Sequence, residues 1–257
     1  MTDQQQSAGL ERLVSIMRRL RDPETGCEWD SVQDFASIAP YTIEEAYEVA
    51  DAIARGDMAD LAEELGDLQL QVIFHSVMAE EQGAFTLADV FAKIADKMER
   101  RHPHIFGAAD AGGHHLWEEI KAAEREDKAG TGDQSALAGV ALALPALERA
   151  QKLQKRAART GFDWPDASGA TAKIHEELAE LEDARGAAHR EEELGDLLFA
   201  VVNLARFLGI DAEEALRKAN RKFEARFRAI EAHPEFAARD LDGKEQLWRE
   251  AKRALQE

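Results

Sequence analysis

Residues 63–75 read EELGDLQLQVIFH. Leu61, Leu65, Leu68 and Val72 recur at three and four, the spacing that lines one face of an α-helix. Acidic residues press against that apolar stripe, and Gly66 sits inside it. Residues 192–203, EELGDLLFAVVN, repeat the same combination, with Leu194, Leu198, Val201 and Ala205 as the stripe and Gly195 as the glycine. A glycine inside a helix costs about 1 kcal/mol relative to alanine. Its acceptance in both copies suggests a close backbone approach at that point.

Aligning the halves extends the repeat. TIEEAYEVADAI at 42–53 matches KIHEELAELEDA at 173–184, DKMERRH at 96 parallels NRKFEARF at 220, and LWEEIKAAE at 116 parallels LWREAKRAL at 247. Matched points keep their order, with offsets of 132 between Glu45 and Glu177 and 129 between Glu64 and Glu193. Duplication of one helical unit accounts for this. Helical periodicity runs through almost all of the chain, and its six prolines and seventeen glycines cluster in loops. Residues 128–139 are rich in Gly, Ser, Asp and Thr and read as a linker between units 1–127 and 140–257. The expected fold class is all-α, a tandem repeat of two short bundles of four or five helices.

Composition narrows the function. At 257 residues, 45% of them apolar, the chain can bury real cores. A net charge of −19 argues against binding nucleic-acid polymers, which demand clustered Lys and Arg. The opening MTDQQQSAGLERL has no basic stretch followed by an apolar one, and no run approaches the roughly eighteen apolar residues of a membrane span. The expected location is the cytoplasm, with no membrane partner. The single cysteine, Cys27, reads as a small packed side chain.

Each half carries two acidic pairs at spacing three: Glu45 with Glu48 and Glu64 with Asp67, then Glu177 with Glu180 and Glu193 with Asp196. Such pairs share a helix face, with Cβ atoms roughly 5–6 Å apart. Two antiparallel helices bring four carboxylates together, and four anions repel unless a cation sits among them. All-carboxylate donors select hard ions, Mg²⁺ or Mn²⁺, before zinc or iron. With 51 acids in the chain, about ten pairs at spacing three arise by chance. One pair therefore says little, whereas recurrence at the same relative places says more.

These stretches, EEAYE then EELGD and EELAE then EELGD, are where the chain resembles the MazG family of nucleoside triphosphate pyrophosphohydrolases. The likeness spreads over WDSVQDFASIAPYTIEEAYEV, RRHPHIFG, LPALERAQKLQKRAARTGFDW and KANRKFEARF, and so over nearly the whole chain, as in the two-domain form of the family. The resemblance implies hydrolysis of nucleoside triphosphates between the α and β phosphorus atoms with Mg²⁺, giving monophosphate and pyrophosphate, in a homodimer. It implies metal ligation by Glu177, Glu180, Glu193 and Asp196, with Glu45, Glu48, Glu64 and Asp67 as their counterparts. Glu176 or Glu192, not fully used by metal, can take the proton of a water. Lys173, Lys222 and Arg226 are candidates to meet the triphosphate, Lys97 and Arg101 hold the equivalent places in the first half, and Trp248 is a candidate to stack on the base.

Other features carry less. His75, on an apolar face, reads as a satisfied histidine. Lys152, Lys155 and Arg156 read as a solvated helix face. A di-iron bundle of the ferritin type requires Glu-x-x-His pairs on two helices, and the acidic motifs contain none; Glu99 with His102 runs into Pro103 and has no partner in the second half. A non-catalytic helical interaction protein stays open as the alternative. Base and sugar preference, and which half turns over, are not legible.

Overall fold

The computed structural model describes residues 3–107 and 133–254. The chain divides into two compact units, Met1–Glu124 and Arg125–Glu257. The first contains α1 (Asp3–Leu20), α2 (Phe35–Arg55), α3 (Met58–Glu81), α4 (Leu87–Arg101) and the single turn α5 (Pro103–Phe106). The second contains α6 (Ala146–Ala158), α7 (Ala167–Asp183), α8 (Ala187–Phe207), α9 (Ala212–Glu231) and α10 (Leu241–Ala254). No strand occurs among the described residues, so the fold is all-α with one helical bundle per unit. The repeat segment LWEEIKAAE at 116 and residues 128–132 of the expected linker lie outside the described residues.

Local signals place the helices that carry the acids. Asp34 caps α2 by accepting from the Ser37 amide, while the Ser37 hydroxyl oxygen accepts from the Asp34 amide, a reciprocal capping box. The helix stops where Gly56 takes φ = 70°, a left-handed conformation that a side chain disfavours. Asp57 then caps α3 through the amides of Ala59 and Asp60. This two-residue turn folds α3 back along α2, and the two pack more extensively than any other pair in the unit. In the second unit Asp166 caps α7 through the Ser168 amide, and Gly186 at φ = 88° precedes α8. Asp34 and Asp166 each stand eleven residues before the first acid of their quartet, Glu45 and Glu177, so both acidic helices start in the same register.

Packing differs between the units. In the first, Met17, Ile38, Ile73, Phe74, Val77 and Met78 form one buried cluster, closed by Leu10, Leu13 and Val14 of α1. Arg21 ties this end together: its guanidinium pairs with Glu81 at 2.7 Å and donates to the carbonyl oxygens of Asp30 at 2.7 Å and Gln33 at 3.2 Å. In the second unit the buried apolar residues are smaller or fewer, among them Ala170, Ala200, Val202, Ile230 and Leu247. Two glutamines of α6 reach α8 and the turn that follows it. Gln151 donates to the Ile210 carbonyl at 2.9 Å and Gln154 to the Phe199 carbonyl at 2.8 Å. The helix face expected to be solvated is so only in part: Lys152 is exposed and pairs with Glu148, but Arg156 is half-buried and donates to the carbonyls of Ala136 and Ala138. The end of the expected linker is thereby docked on α6.

Candidate active site

Three carboxylates of each quartet converge. In the first unit Glu45 and Glu48 of α2 meet Glu64 of α3, and in the second Glu177 and Glu180 of α7 meet Glu193 of α8; in each group oxygens lie within 4.8 Å of one another. The fourth member of each quartet stands apart from that convergence. Asp67 is exposed but close enough for its charge to act on Glu45 and Glu64, and Asp196 opens onto a cleft. Glu177 is buried, at 4% exposure, while Glu180 is exposed and Glu193 half-buried.

The electrostatics of both clusters are those of crowded anions. Glu45 is held above the usual carboxylate range by burial first, then by the charges of Asp67, Glu48 and Glu64. Glu64 is raised by burial and by Glu48, Asp60 and Asp67. Glu180 is raised by burial, Glu177 and Glu193, against a smaller opposing pull from Lys173. Clustered carboxylates with raised proton affinity are a donor set that a hard divalent cation can occupy in place of protons.

Lys173 already places one positive charge in the second cluster. Its Nζ lies 2.6 Å from a Glu177 oxygen and 2.7 Å from Glu176, and hydrogen bonds to both raise its pKa well above the ordinary lysine value. His189 touches another member of the cluster, with Nε2 3.0 Å from Glu193. The first unit has Tyr41 where Lys173 stands, at the offset of 132, so its cluster lacks that lysine.

A cleft of about 680 Å³ opens beside the second cluster, with Lys173, Glu177 and Asp196 at its acidic end. Phe162, Trp164 and Phe199 form apolar walls, and Gln154, Asn203 and Arg206 supply polar groups. Sequence reading missed Trp164, Gln154, Asn203, Arg206 and Asp163. A signal existed: at the offset of 129, Asn203 and Arg206 replace Phe74 and Val77, both buried in the core of the first unit. Two polar residues three apart, in a helix whose twin is apolar there, mark a face freed from packing.

Other expected residues are placed as follows. Glu176 is exposed and bound to Lys173, and Glu192 is exposed on α8 outside the converging group. Lys222 and Arg226 lie on α9; Lys222 is exposed, and Arg226 lies over the Trp248 ring at 6.0 Å. Trp248 is half-buried, with its ring centroid 5.2 Å from that of Phe223. None of these three lines the cleft. Lys97 and Arg101, near the end of α4, are half-buried. His75 is a satisfied histidine: Nε2 lies 3.0 Å from the Thr42 hydroxyl, the ring stacks on Phe35, and burial lowers its pKa.

The glycine expectation is overturned. A Cβ built on Gly66 or on Gly195 meets no atom within 4 Å among the described residues. No other backbone among the described residues approaches there, and both sites lie on open helix faces beside exposed Leu65 and Leu194.

The profile of the MazG nucleotide pyrophosphohydrolase domain matches residues 33–106 and 168–230, which contain α2–α4 and α7–α9 and hence both acidic clusters. The chain belongs to the MazG family. It is 52% identical to the nucleoside triphosphate pyrophosphohydrolase of Escherichia coli strain K12, over 95% of this chain and 97% of that protein. A Thermotoga maritima protein named nucleoside triphosphate pyrophosphohydrolase/pyrophosphatase MazG is 48% identical over 86% of this chain and 85% of its own length. The Mycobacterium tuberculosis nucleoside triphosphate pyrophosphohydrolase is 36% identical over 59% of this chain.

Proposed function

We propose that this protein hydrolyses nucleoside triphosphates, ribo- and deoxyribo-, to monophosphate and pyrophosphate, with the second unit as the working half. The observation that carries the reading is that Glu177 belongs both to the converging carboxylates and to the wall of the cleft. Phosphates held at the acidic end leave the nucleoside to lie along the aromatic walls. The names of the E. coli and T. maritima relatives agree with this reaction.

In this reading Glu177, Glu180, Glu193 and Asp196 hold Mg²⁺, with Mn²⁺ as a substitute, and Glu45, Glu48, Glu64 and Asp67 are the matching set. Bound there, the ion supplies charge compensation for the phosphates and acidifies a coordinated water. Lys173 moves its charge from the carboxylates to the triphosphate; Lys222 and Arg226 of α9, which do not line the cleft in this structure, are the further cations proposed to meet the phosphates. Glu176 or Glu192 accepts the water proton; Glu176 is freed for this when Lys173 leaves it. In the first unit Lys97 and Arg101 hold the equivalent cationic places, and Trp248 packs α10 onto α9 next to Arg226.

The protein acts as a homodimer. Leu194, Leu198 and Val201 of α8 are each about half exposed, alongside Gly195, an apolar strip that a second copy can cover. No helix among the described residues is long and apolar enough to cross a membrane, in keeping with a cytoplasmic enzyme that clears unwanted nucleotides and needs no nucleic-acid or membrane partner.

Pyrophosphate release from a triphosphate panel, with Mg²⁺ and with chelator, tests the reading on wild type, Asp67→Asn and Asp196→Asn. The expected result is monophosphate with pyrophosphate, abolished by chelator and by Asp196→Asn, and retained in Asp67→Asn. Orthophosphate release refutes the bond assignment. No turnover, together with no stabilisation by Mg²⁺, leaves a helical interaction protein.

A further inference from the structure

The cleft of the second unit is not walled by helices alone. Leu137, in the stretch that joins the two halves of the repeat, lines it together with Leu153, Gln154 and Ala157 of α6. Residues 133–140 are non-helical and fold into a turn of their own. The Ser135 amide donates to Asp133 Oδ1 at 2.9 Å, the Leu137 amide to the Ser135 hydroxyl oxygen at 3.2 Å, and the Ala138 amide to the Ser135 carbonyl at 2.9 Å. Gly139 follows at φ = 72°, a left-handed conformation that a side chain disfavours. These bonds each span three residues or fewer, so they shape the turn without tying it to the helices.

The tie is Arg156. From the last turn of α6 its Nη1 donates to the Ala138 carbonyl and, at 3.5 Å, to the Ala136 carbonyl, the two that flank Leu137. One charged side chain thus grips both sides of the residue that faces the cleft. The next residue of α6 holds another piece of wall by backbone alone. The Ala157 carbonyl accepts from the amides of Thr160 and Phe162 at 3.0 and 3.3 Å, and Phe162 also lines the cleft. Of these two wall segments, the one at Leu137 hangs on a side chain that can let go.

Leu137 is 42% exposed. An occupant of the cleft that covers it removes apolar surface from water only while the turn is docked. Docking and occupancy therefore favour each other, and the coupling is reciprocal. Whatever draws the joining stretch off α6 weakens binding in the cleft by the same factor as the occupant tightens the docking.

We infer that residues 133–140 are a strap with Arg156 as its latch, through which the state of the joining stretch sets the affinity of the second unit's cleft. The identity of the occupant rests on the triphosphate-hydrolase reading above.

Hydrogen exchange of residues 133–140 in the full chain tests this, measured with and without a nucleoside triphosphate whose α–β bridging oxygen is replaced by methylene. The Kd of that analogue with Mg²⁺ is measured alongside. Arg156→Met removes the latch. Gly139→Ala strains the turn through its φ alone, since a Cβ there meets no atom within 4 Å among the described residues. In wild type the analogue should slow exchange of the strap roughly 10-fold, the scale of a coupled pair of sites. In both variants the strap should exchange faster without ligand and the Kd should rise roughly 10-fold, while exchange in α7 and α8 stays as in wild type. A general loss of stability speeds exchange in all three segments instead, and overturns the assignment of a strap. If Arg156→Met fails to fold, Gly139→Ala decides. Bound analogue with unchanged strap exchange in wild type, or a freed strap with unchanged Kd, also overturns the inference. No binding of the analogue to wild type overturns the hydrolase reading and this coupling with it.

Discussion

Replacing Lys173 by methionine keeps the length of the side chain and removes its charge. In the wild type that charge lies 2.6 Å from Glu177, whose side chain is only 5% exposed, while the lysine is 39% exposed. Breaking a fully buried ion pair costs about 3–5 kcal/mol, and losing an exposed one about 0–1 kcal/mol. With one partner buried and the other screened by water, the expected cost in metal-free protein is about 2 kcal/mol, aggravated by the anions of Glu180 and Glu193 alongside. At roughly 4 °C per kcal/mol for a unit of this size, its melting transition falls by about 8 °C. Mg²⁺ at a hundredfold over its Kd adds about 2.7 kcal/mol to any fold that binds it, and in the variant it also relieves the unpaired Glu177. Calorimetric melting of both proteins, in chelator and in saturating Mg²⁺, should therefore show a deficit that is large in chelator and much reduced in Mg²⁺. An equal deficit in both conditions, or none in chelator, refutes the idea that Lys173 serves as the resident cation of the cluster.

Two further outcomes follow from positions outside the clusters. Gly66→Ala and Gly195→Ala each add a methyl group to open space within a helix, and should each raise stability by about 0.5–1 kcal/mol in urea melts at low protein concentration; destabilisation instead means that a second copy of the chain already fills that space. His75 has its pKa lowered from 6.5 by burial, so the folded state binds fewer protons than the unfolded one below that value. Stability of the first unit should therefore fall as pH drops through 6.5, and His75→Phe should flatten that part of the profile; an unchanged slope refutes the assignment.

The acidic helices were legible because their signals are local. The apolar spacing at three and four that marks them is written within a few residues, and so are the caps at Asp34, Asp57 and Asp166 and the left-handed Gly56 that the structure adds. The convergence of Glu45, Glu48 and Glu64, and of Glu177, Glu180 and Glu193, followed from pairs at spacing three on adjacent helices. What stayed hidden depends on contacts distant in sequence. Asp163 meets Arg206 across 43 residues, and Gln154 meets Phe199 across 45; no periodicity announces either. Arg156 looked like one more solvated cation because the carbonyls it binds, Ala136 and Ala138, lie in a stretch whose composition reads as linker. The two glycines misled for a related reason: a cost in helix propensity shows that something tolerates the residue, without saying that a neighbour in the same chain requires it.

The exchange of Phe74 and Val77 for Asn203 and Arg206 has a consequence for how long the protein lasts in a cell. One copy of the duplicated unit keeps its interior filled by its own side chains, while the other leaves room for a ligand and forgoes that packing. On the proposed reading nucleotide binds that cleft, so mass action makes the second unit open more often when the cleft is empty, and a protease that cuts only the opened chain removes molecules in proportion to that opening. Abundance of the protein is then coupled to its own substrate: nucleotide in the cleft lengthens the life of the molecule that consumes it.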